Sequence, residues 1–310
     1  MSRLFIIGNG VDLANGLPTD FHNDFRPIAK RNETSSEFWE LYSDAEREIW
    51  SDFEESLARP ELDRLWEELF QPYSPDYSSD RESDRNGMIW MAEGTGKLRQ
   101  SLLEFAQKAE NALGNITNPV FLPEFPVRDD DHVISFNYTS TVESKYNVRA
   151  DQVTHVHGKV GETELTLGFN RTRYKPTDIF VDIHHGQGYW ATWDIYAKKK
   201  TLDDIPVEQR EYYDGSDYYI DTAQDMFERT IRSFEKPYRL DCIDRLPNGI
   251  VDIVVVGHSL GFSDQPYFEA LANKYPDALW KITWHNDQEK IGMTERMGVF
   301  GIQRYELVNF

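Results

Sequence analysis

Short apolar runs rich in β-branched residues recur along the chain, and stretches with helical periodicity separate them. The runs that predict buried strands lie at 3–7, 132–136, 153–156, 251–256, 279–284 and 302–308. Continuous apolar strands are typical of a parallel sheet whose two faces are both covered by helices. The pattern therefore predicts an α/β fold built on a parallel sheet.

The segments between the strands predict helices and loops. An amphipathic helical stripe covers 36–69, and two further helices are expected at 96–114 and 221–235. Residues 72–87 are polar and rich in turn formers, which predicts a mobile loop. Residues 171–220 carry too little periodicity for an assignment.

The spacing of the strands predicts one α/β domain over 1–310 that carries two insertions. The first, at 20–125, is expected to be mainly helical. The second, at 165–245, is expected to be irregular.

The net charge and the cysteine content argue against several classes of protein. The formal net charge is −21, which argues against direct binding of nucleic acid, because that needs a positive surface facing the phosphates. Cys242 is the only cysteine, which excludes intrachain disulfides and a four-cysteine zinc module. No leader precedes the first strand and no apolar run approaches about 18 residues, so we expect a cytoplasmic protein without a membrane span.

The most informative motif follows the first strand. The strand runs directly into Gly8-Asn9-Gly10 and then into a segment that can form a helix. Glycines in such a turn let backbone amides approach a pyrophosphate, and a helix N-terminus adds a favourable dipole. This arrangement predicts a Rossmann-like sheet that binds a nucleotide.

Two further motifs follow predicted strands. Asn137 comes just after 132–136 and can orient a water or a ribose hydroxyl, although it can equally cap the next helix. His155 and His157 lie in the HVHG motif, where alternation puts both on one face of the strand. His157, at the strand end, suits a general base at neutral pH. Ordinary hydrogen-bonded histidines remain an alternative, and no third ligand for a metal is evident.

The fourth motif, VVVGHSLGFSD, covers 254–264. Its segment GHSLG matches the GxSxG nucleophile elbow of α/β-hydrolases, so a serine hydrolase with Ser259 as nucleophile is an alternative function. Such an enzyme needs an acid and then a histidine later in the chain. His285 is the only later histidine, and Asp264, Asp277 or Asp287 would supply the acid, although Asp287 follows the histidine and is therefore out of order.

Taken in order, GNGVDLANGLPT, SFNYTST, HVHG and GHSLGFSD resemble the motifs of the AbiH family of bacterial phage abortive-infection proteins. The same order is similar to the larger sirtuin-like class of NAD-binding proteins. The resemblance implies a sirtuin-like sheet and a cytoplasmic NAD-consuming enzyme that uses NAD as its substrate and no metal. It also implies a toxic effector that a homo-oligomer or a regulatory partner protein keeps inactive until infection.

The resemblance also implies roles for individual residues. Asn137 would position the attacking water or the ribose, and His157 would be the catalytic histidine. The residues that would bind the nucleotide are Gly8, Asn9, Gly10, Asp12, Gly257, His258 and Ser259. Of these, the first three would hold the pyrophosphate, Asp12 would support that turn or a ribose, and the last three would line the adenosine side.

Two differences from the sirtuin-like pattern refine the expected activity. Thr139 stands where the class usually has an acidic residue, two places after the asparagine. The zinc module of protein deacetylases has no counterpart, which argues against deacetylation. The expected reaction is NAD hydrolysis or ADP-ribosyl transfer. A nucleotide-sensing module without catalysis is a third possibility.

Overall fold

The computed structural model describes residues 2–33, 39, 50, 53–58, 80–162, 164–173 and 234–310, with the backbone alone at 80–95. The helix expected at 221–235 and most of 36–69 and 171–220 lie outside the described residues.

A parallel sheet of six strands forms the centre of the described fold, in the order β3-β2-β1-β4-β5-β6. The strands are β1 (Ser2–Ile7), β2 (His132–Ser135), β3 (Val153–His155), β4 (Ile250–Val256), β5 (Leu279–Trp284) and β6 (Tyr305–Asn309). Every neighbouring pair is parallel, so the prediction of an α/β fold with a parallel sheet is confirmed. The strand order reverses between β1 and β4.

Helices lie between the strands along the chain. Within the described residues these are α1 (Asn9–Ala14), α2 (Arg26–Asn32), α3 (Phe53–Ser56), α4 (Asp80–Ala112), α5 (Thr141–Tyr146), α6 (Asp241–Asp244), α7 (Gln265–Lys274) and α8 (Asp287–Val299). A π-helical turn, Phe21–Phe25, leads into α2.

The prediction of a loop at 72–87 is wrong for its second half, and 72–79 lie outside the described residues. Helix α4 begins at Asp80 and continues to Ala112, so it also starts well before the helix expected at 96–114. The turn formers in 80–87 favour a loop by their individual propensities, whereas the backbone of this segment is helical.

Alternating side chains of the strands build two separate cores. Leu4 and Ile6 of β1 pack on one face with Ile253 and Val255 of β4. On the other face the packed residues are Phe5, Ile7, Val133, Val254 and Val256. Because both faces are covered at the centre of the sheet, the buried parts of β1 and β4 form continuous apolar runs.

The chain divides into two compact units. The first comprises 1–30, 99–170 and 236–310 and contains the whole sheet, and the second comprises 31–98 and 171–235. In the second unit, Trp50 stacks on Phe53 with 4.9 Å between ring centroids. The insertion boundaries expected at 20–125 and 165–245 stay predictions.

Among the described residues, no helix combines the length and the apolar character needed to cross a membrane.

A buried ion pair joins the amino ends of β1 and β2. The backbone amide, Nε and Nη2 of Arg3 all donate to the carboxylate of Asp131, with Nη2 at 2.6 Å from Oδ2. The remaining guanidinium donors reach the carbonyls of Glu124 and Pro126 at 2.8 and 3.0 Å. Burial opposes ionisation of Asp131, but Arg3 and two backbone amides outweigh it and hold the pKa of that carboxyl below its ordinary value.

We expect Asp131→Asn to lower the free energy of unfolding by up to about 5 kcal/mol, because it removes the buried carboxylate at 2.6 Å and leaves the Arg3 charge only the partly exposed Glu124, 3.6 Å away. The stability that ionised Asp131 contributes is complete above its ordinary pKa of 3.8 and is lost as pH falls through the lowered value. Urea unfolding at pH 7 and at several acidic pH values should show that loss in the wild type and not in the variant. Asp277→Asn, at an exposed position, is the control; equal losses in both variants would contradict the prediction.

Candidate functional site

The carboxyl ends of four neighbouring strands lie level with one another. Ile7 of β1 pairs with Ser135 of β2 and with Val256 of β4, and Ser135 pairs in turn with His155 of β3. The ladder continues one residue further, since the Phe136 amide donates to the Ile7 carbonyl at 2.9 Å. The turns that follow these strands therefore begin at one edge of the sheet, and they carry all four sequence motifs.

The turn after β1 packs directly against the turn after β4. The amides of Gly8 and Gly10 donate to the carbonyls of Val256 and Gly257 at 3.0 and 2.7 Å. A Cβ on Gly8 would lie 2.6 Å from the Gly257 oxygen and from the Cα of His258. Packing thus explains why glycine stands here. Both amides already donate within the protein, so they are not available to a phosphate. Nucleotide binding by this turn stays a prediction.

The side chain of Asn9 has a comparable internal role. Its Nδ2 donates to the Thr19 carbonyl at 2.7 Å, which ties the start of α1 to the segment that follows that helix. The predicted contact of Asn9 with a pyrophosphate also stays a prediction.

A second group at the edge, which we call the Asp12 cluster, comprises Asp12, Asn137, Thr139 and Thr141. Thr139 Oγ1 donates to Asp12 Oδ2 at 2.6 Å, so the hydroxyl of Thr141, 2.9 Å away, must donate to Thr139. Asp12 Oδ1 and both polar atoms of the Asn137 carboxamide are buried and have no hydrogen-bond partner in the described chain. Buried polar atoms without partners are rare and point to a bound water or ligand.

The environment of Asp12 disfavours its charged form. Burial raises the pKa of this carboxyl, and the side chains of Thr139, Thr141 and Asn137 only partly offset that effect. Asn137 thus lies close enough to influence Asp12 electrostatically without a hydrogen bond between them.

The two histidines of the HVHG motif have separate partners. His155 Nδ1 lies 3.0 Å from the Asn137 carbonyl, and its Nε2 lies 3.0 Å from Glu143 Oε1. Lys159 also donates to Glu143 Oε1 at 3.0 Å. Burial opposes ionisation of Glu143, but His155 and Lys159 lower the pKa of its carboxyl to about 2. His155 therefore fixes the backbone that carries Asn137, and both of its ring nitrogens are engaged.

His157 belongs to a third group, the Asp264 cluster, which comprises His157, Lys236, His258 and Asp264. Asp264 Oδ1 accepts from Lys236 Nζ at 2.9 Å and lies 3.1 Å from His157 Nε2. Asp264 Oδ2 lies 3.2 Å from His258 Nε2. The ring of Phe136 contacts both imidazoles edge-on, at 5.2 and 4.5 Å between centroids.

Charge balance keeps Asp264 ionised. Burial by itself raises the pKa of a carboxyl, but the buried ammonium of Lys236 and the two imidazoles hold the pKa of Asp264 well below its ordinary value. The Leu260 amide donates to His258 Nδ1 at 2.9 Å, so the proton of a neutral His258 sits on Nε2 and points to Asp264.

The sequence did not predict that Asp264 and Lys236 belong to this site. Asp264 entered only as an acid for a serine hydrolase, and Lys236 did not enter at all. The position of Asp264, directly after GHSLG and before a helix with Pro266 at its start, was the available signal. Nothing local in the sequence distinguishes Lys236 from other lysines.

The environment of Ser259 does not match a nucleophile elbow. Ser259 is exposed, and its hydroxyl forms no hydrogen bond with the described residues. The residues with positive φ in this turn are Gly257 and Leu260, at 65° and 57°. His285 is exposed at the end of β5, where its amide donates to Glu289 at 2.8 Å. No observation therefore favours the serine hydrolase.

The described residues contain no group of three or more His, Cys, Asp and Glu side chains suited to hold a metal ion.

We expect Gly8→Ala to lower the free energy of unfolding by about 1–3 kcal/mol, because the new methyl group meets the backbone of Gly257 and His258. The matched control is Gly298→Ala in α8, where the methyl group enters open space. Helix propensity should make that change neutral or stabilising by up to about 1 kcal/mol. Denaturant unfolding of both variants checks the prediction, which equal stabilities would overturn.

We expect Asp12→Asn to change how stability depends on pH. Because the pKa of Asp12 is raised above its ordinary 3.8 in the folded protein, the wild type loses stability as pH rises from about that value through the raised one. The neutral variant avoids this loss and can still accept the hydrogen bond from Thr139. Between pH 4 and 8, the free energy of unfolding of the wild type should fall relative to that of the variant as pH rises. Parallel curves would refute the explanation.

Comparison with known proteins identifies the family. Searches of curated proteins and of solved structures found no match. A model of the family described as bacteriophage abortive infection AbiH matches residues 4–284, which span the sheet from β1 to β5 and all four motifs. The chain therefore belongs to the AbiH family of bacteriophage abortive-infection proteins.

Proposed function

We propose that this protein is an NAD glycohydrolase that cleaves NAD to nicotinamide and ADP-ribose and acts as a toxic effector in abortive infection. The observation that carries the proposal is that Asn137 and His157 directly follow the level carboxyl ends of the neighbouring strands β2 and β3, at the edge where the turn after β1 begins. Membership of a phage abortive-infection family supports the biological setting.

The topology supports a nucleotide as ligand. The order β3-β2-β1-β4-β5-β6 is that of doubly wound dinucleotide-binding sheets, which bind ligands outside the carboxyl ends of the strands where the order reverses. In this chain the reversal lies between β1 and β4. The turns that follow those two strands contain the seven residues that we assign to the nucleotide. Rossmann-like and sirtuin-like binding are part of the proposal.

The chemistry of the two side chains suits cleavage of a glycosidic bond. Nicotinamide leaves NAD from a cationic ring nitrogen, so the transition state resembles an oxocarbenium ion and needs a placed nucleophile more than a strong acid. The carboxamide of Asn137 offers a donor and an acceptor that no described residue engages, which suits it to orient a water or a ribose hydroxyl. His157 would accept the proton.

The bond changes balance as follows. Water attacks C1′ of the nicotinamide ribose, and the electron pair of the breaking C1′–N bond neutralises the pyridinium. The proton released by the water passes to His157 and then to solvent. Positioning by Asn137 and proton transfer to His157 are the contributions of the protein, and proton transfer of this kind is worth about 10²–10⁴-fold in rate.

Uncontrolled loss of NAD would kill the host before infection, so the activity must be gated. We propose that a homo-oligomer or a regulatory partner protein provides this control. A pure nucleotide sensor would bind NAD without turnover.

The proposal predicts that the purified protein, alone or with extract of phage-infected cells, releases nicotinamide from NAD. Asn137→Ala and His157→Ala should each lower that rate by about 10²-fold or more. Thr294→Ala, exposed on α8, should retain the wild-type rate.

Chromatography measures the nicotinamide released, and a thermal unfolding curve shows whether each variant is folded. No release under any of these conditions, or equal rates in all variants, would refute the glycohydrolase. Tight NAD binding without turnover, unchanged in His157→Ala, would instead indicate a sensor.

A further inference from the structure

His157 differs from His155 in one respect that matters for proton transfer. Both ring nitrogens of His155 have acceptors as partners, the Asn137 carbonyl and the Glu143 carboxylate. His157 has a carboxylate partner at Nε2, and its Nδ1 forms no hydrogen bond with the described residues. Of these two histidines, His157 is the one with a ring nitrogen that no described residue engages.

The partners of Asp264 decide where the proton of His157 sits. Lys236, whose side chain is fully buried, keeps the carboxylate charged at 2.9 Å, and an ionised carboxylate only accepts hydrogen bonds. His157 Nε2, 3.1 Å from the same oxygen, must then carry the proton. A neutral imidazole with its proton on Nε2 holds its lone pair on Nδ1.

We propose that Asp264 is a positioning residue that holds His157 in this tautomer and orientation, so that Nδ1 is the atom that accepts the proton in the proposed NAD hydrolysis. Lys236 and His258 hold Asp264 in turn. The catalytic role of Nδ1 rests on the proposed function, whereas the tautomer of His157 does not depend on that function.

Two opposite charges face the His157 ring from the Asp264 cluster, the carboxylate of Asp264 and the ammonium of Lys236 that is bound to it. Among the described residues, Tyr138 and Tyr267 are further titratable groups at the ring, with ring centroids 6.2 and 6.4 Å away. Burial raises the pKa of Tyr267 to about 12, so that tyrosine adds no charge near neutral pH.

NMR tests the tautomer without any substrate. In protein labelled with ¹⁵N-histidine, long-range ¹H–¹⁵N spectra distinguish the two neutral tautomers, and His157→Gln identifies the signals of His157. We expect a protonated Nε2 and an unprotonated Nδ1 in the wild type, and a mixture of tautomers in Asp264→Asn. A proton on Nδ1 in the wild type would overturn the proposal.

Kinetics test the catalytic consequence. In Asp264→Asn we expect kcat for NAD to fall by about 10²–10⁴-fold and KM to change by less than about threefold. The acid limb of the pH–rate profile should move to lower pH, because an imidazolium without the carboxylate, and beside the Lys236 charge, loses its proton more easily. Asp244→Asn, exposed in α6, should behave as the wild type. A raised KM with unchanged kcat would contradict a positioning role.

A second variant guards against misfolding, since Asp264→Asn leaves the Lys236 ammonium buried without its carboxylate. In Asp264→Asn with Lys236→Met both charges are gone, and we expect a near-wild-type Tm with kcat still low. Recovery of kcat in the double variant would overturn the proposal. If the protein releases nicotinamide but His157 carries its proton on Nδ1, this inference alone is refuted. If His157 has the expected tautomer but the protein releases no nicotinamide, only the proposed function is refuted.

Discussion

Level pairing of four parallel strands is the constraint on which the rest of the structure depends. Ile7, Ser135, His155 and Val256 form one row across β1 to β4, and every motif follows this row within a few residues. Because both faces of the sheet are buried, a slip of one residue would move apolar side chains to the wrong core. The packing that fixes the register therefore also fixes the candidate site.

Two buried carboxylates at this edge have opposite environments. Among the described residues, Asp12 has hydroxyl and amide neighbours and no cation in contact, and burial raises its pKa. Asp264 is as deeply buried, but an ammonium and two imidazoles lower its pKa. The contrast separates two functions within one edge. The Asp12 cluster retains polar atoms that no described residue engages and that can meet a ligand, and the Asp264 cluster contains the charged partners that orient His157.

The glycine motifs illustrate how one sequence signal supports different explanations. Gly8-Asn9-Gly10 has the form of a phosphate-binding turn and GHSLG the form of a nucleophile elbow. In the fold, the two turns are halves of one backbone contact, in which Gly8 and Gly257 leave no room for a Cβ. Their glycines are required for this contact whatever the ligand is, so the functional argument rests on Asn137, His157 and their partners.

The sequence by itself determined the strands, their parallel arrangement and the family, because burial on both faces leaves apolar runs that are visible locally. It also singled out Asn137 and His157 by their place after strands. It did not reveal the start of α4 at Asp80, because the turn formers in 80–87 favour a loop by their individual propensities. Only the tertiary structure decided which groups meet: His157 and Asp264 are 107 residues apart, and Lys236 joins them from a third segment. Such partners are selected by charge and distance in three dimensions, and no periodicity along the chain encodes them.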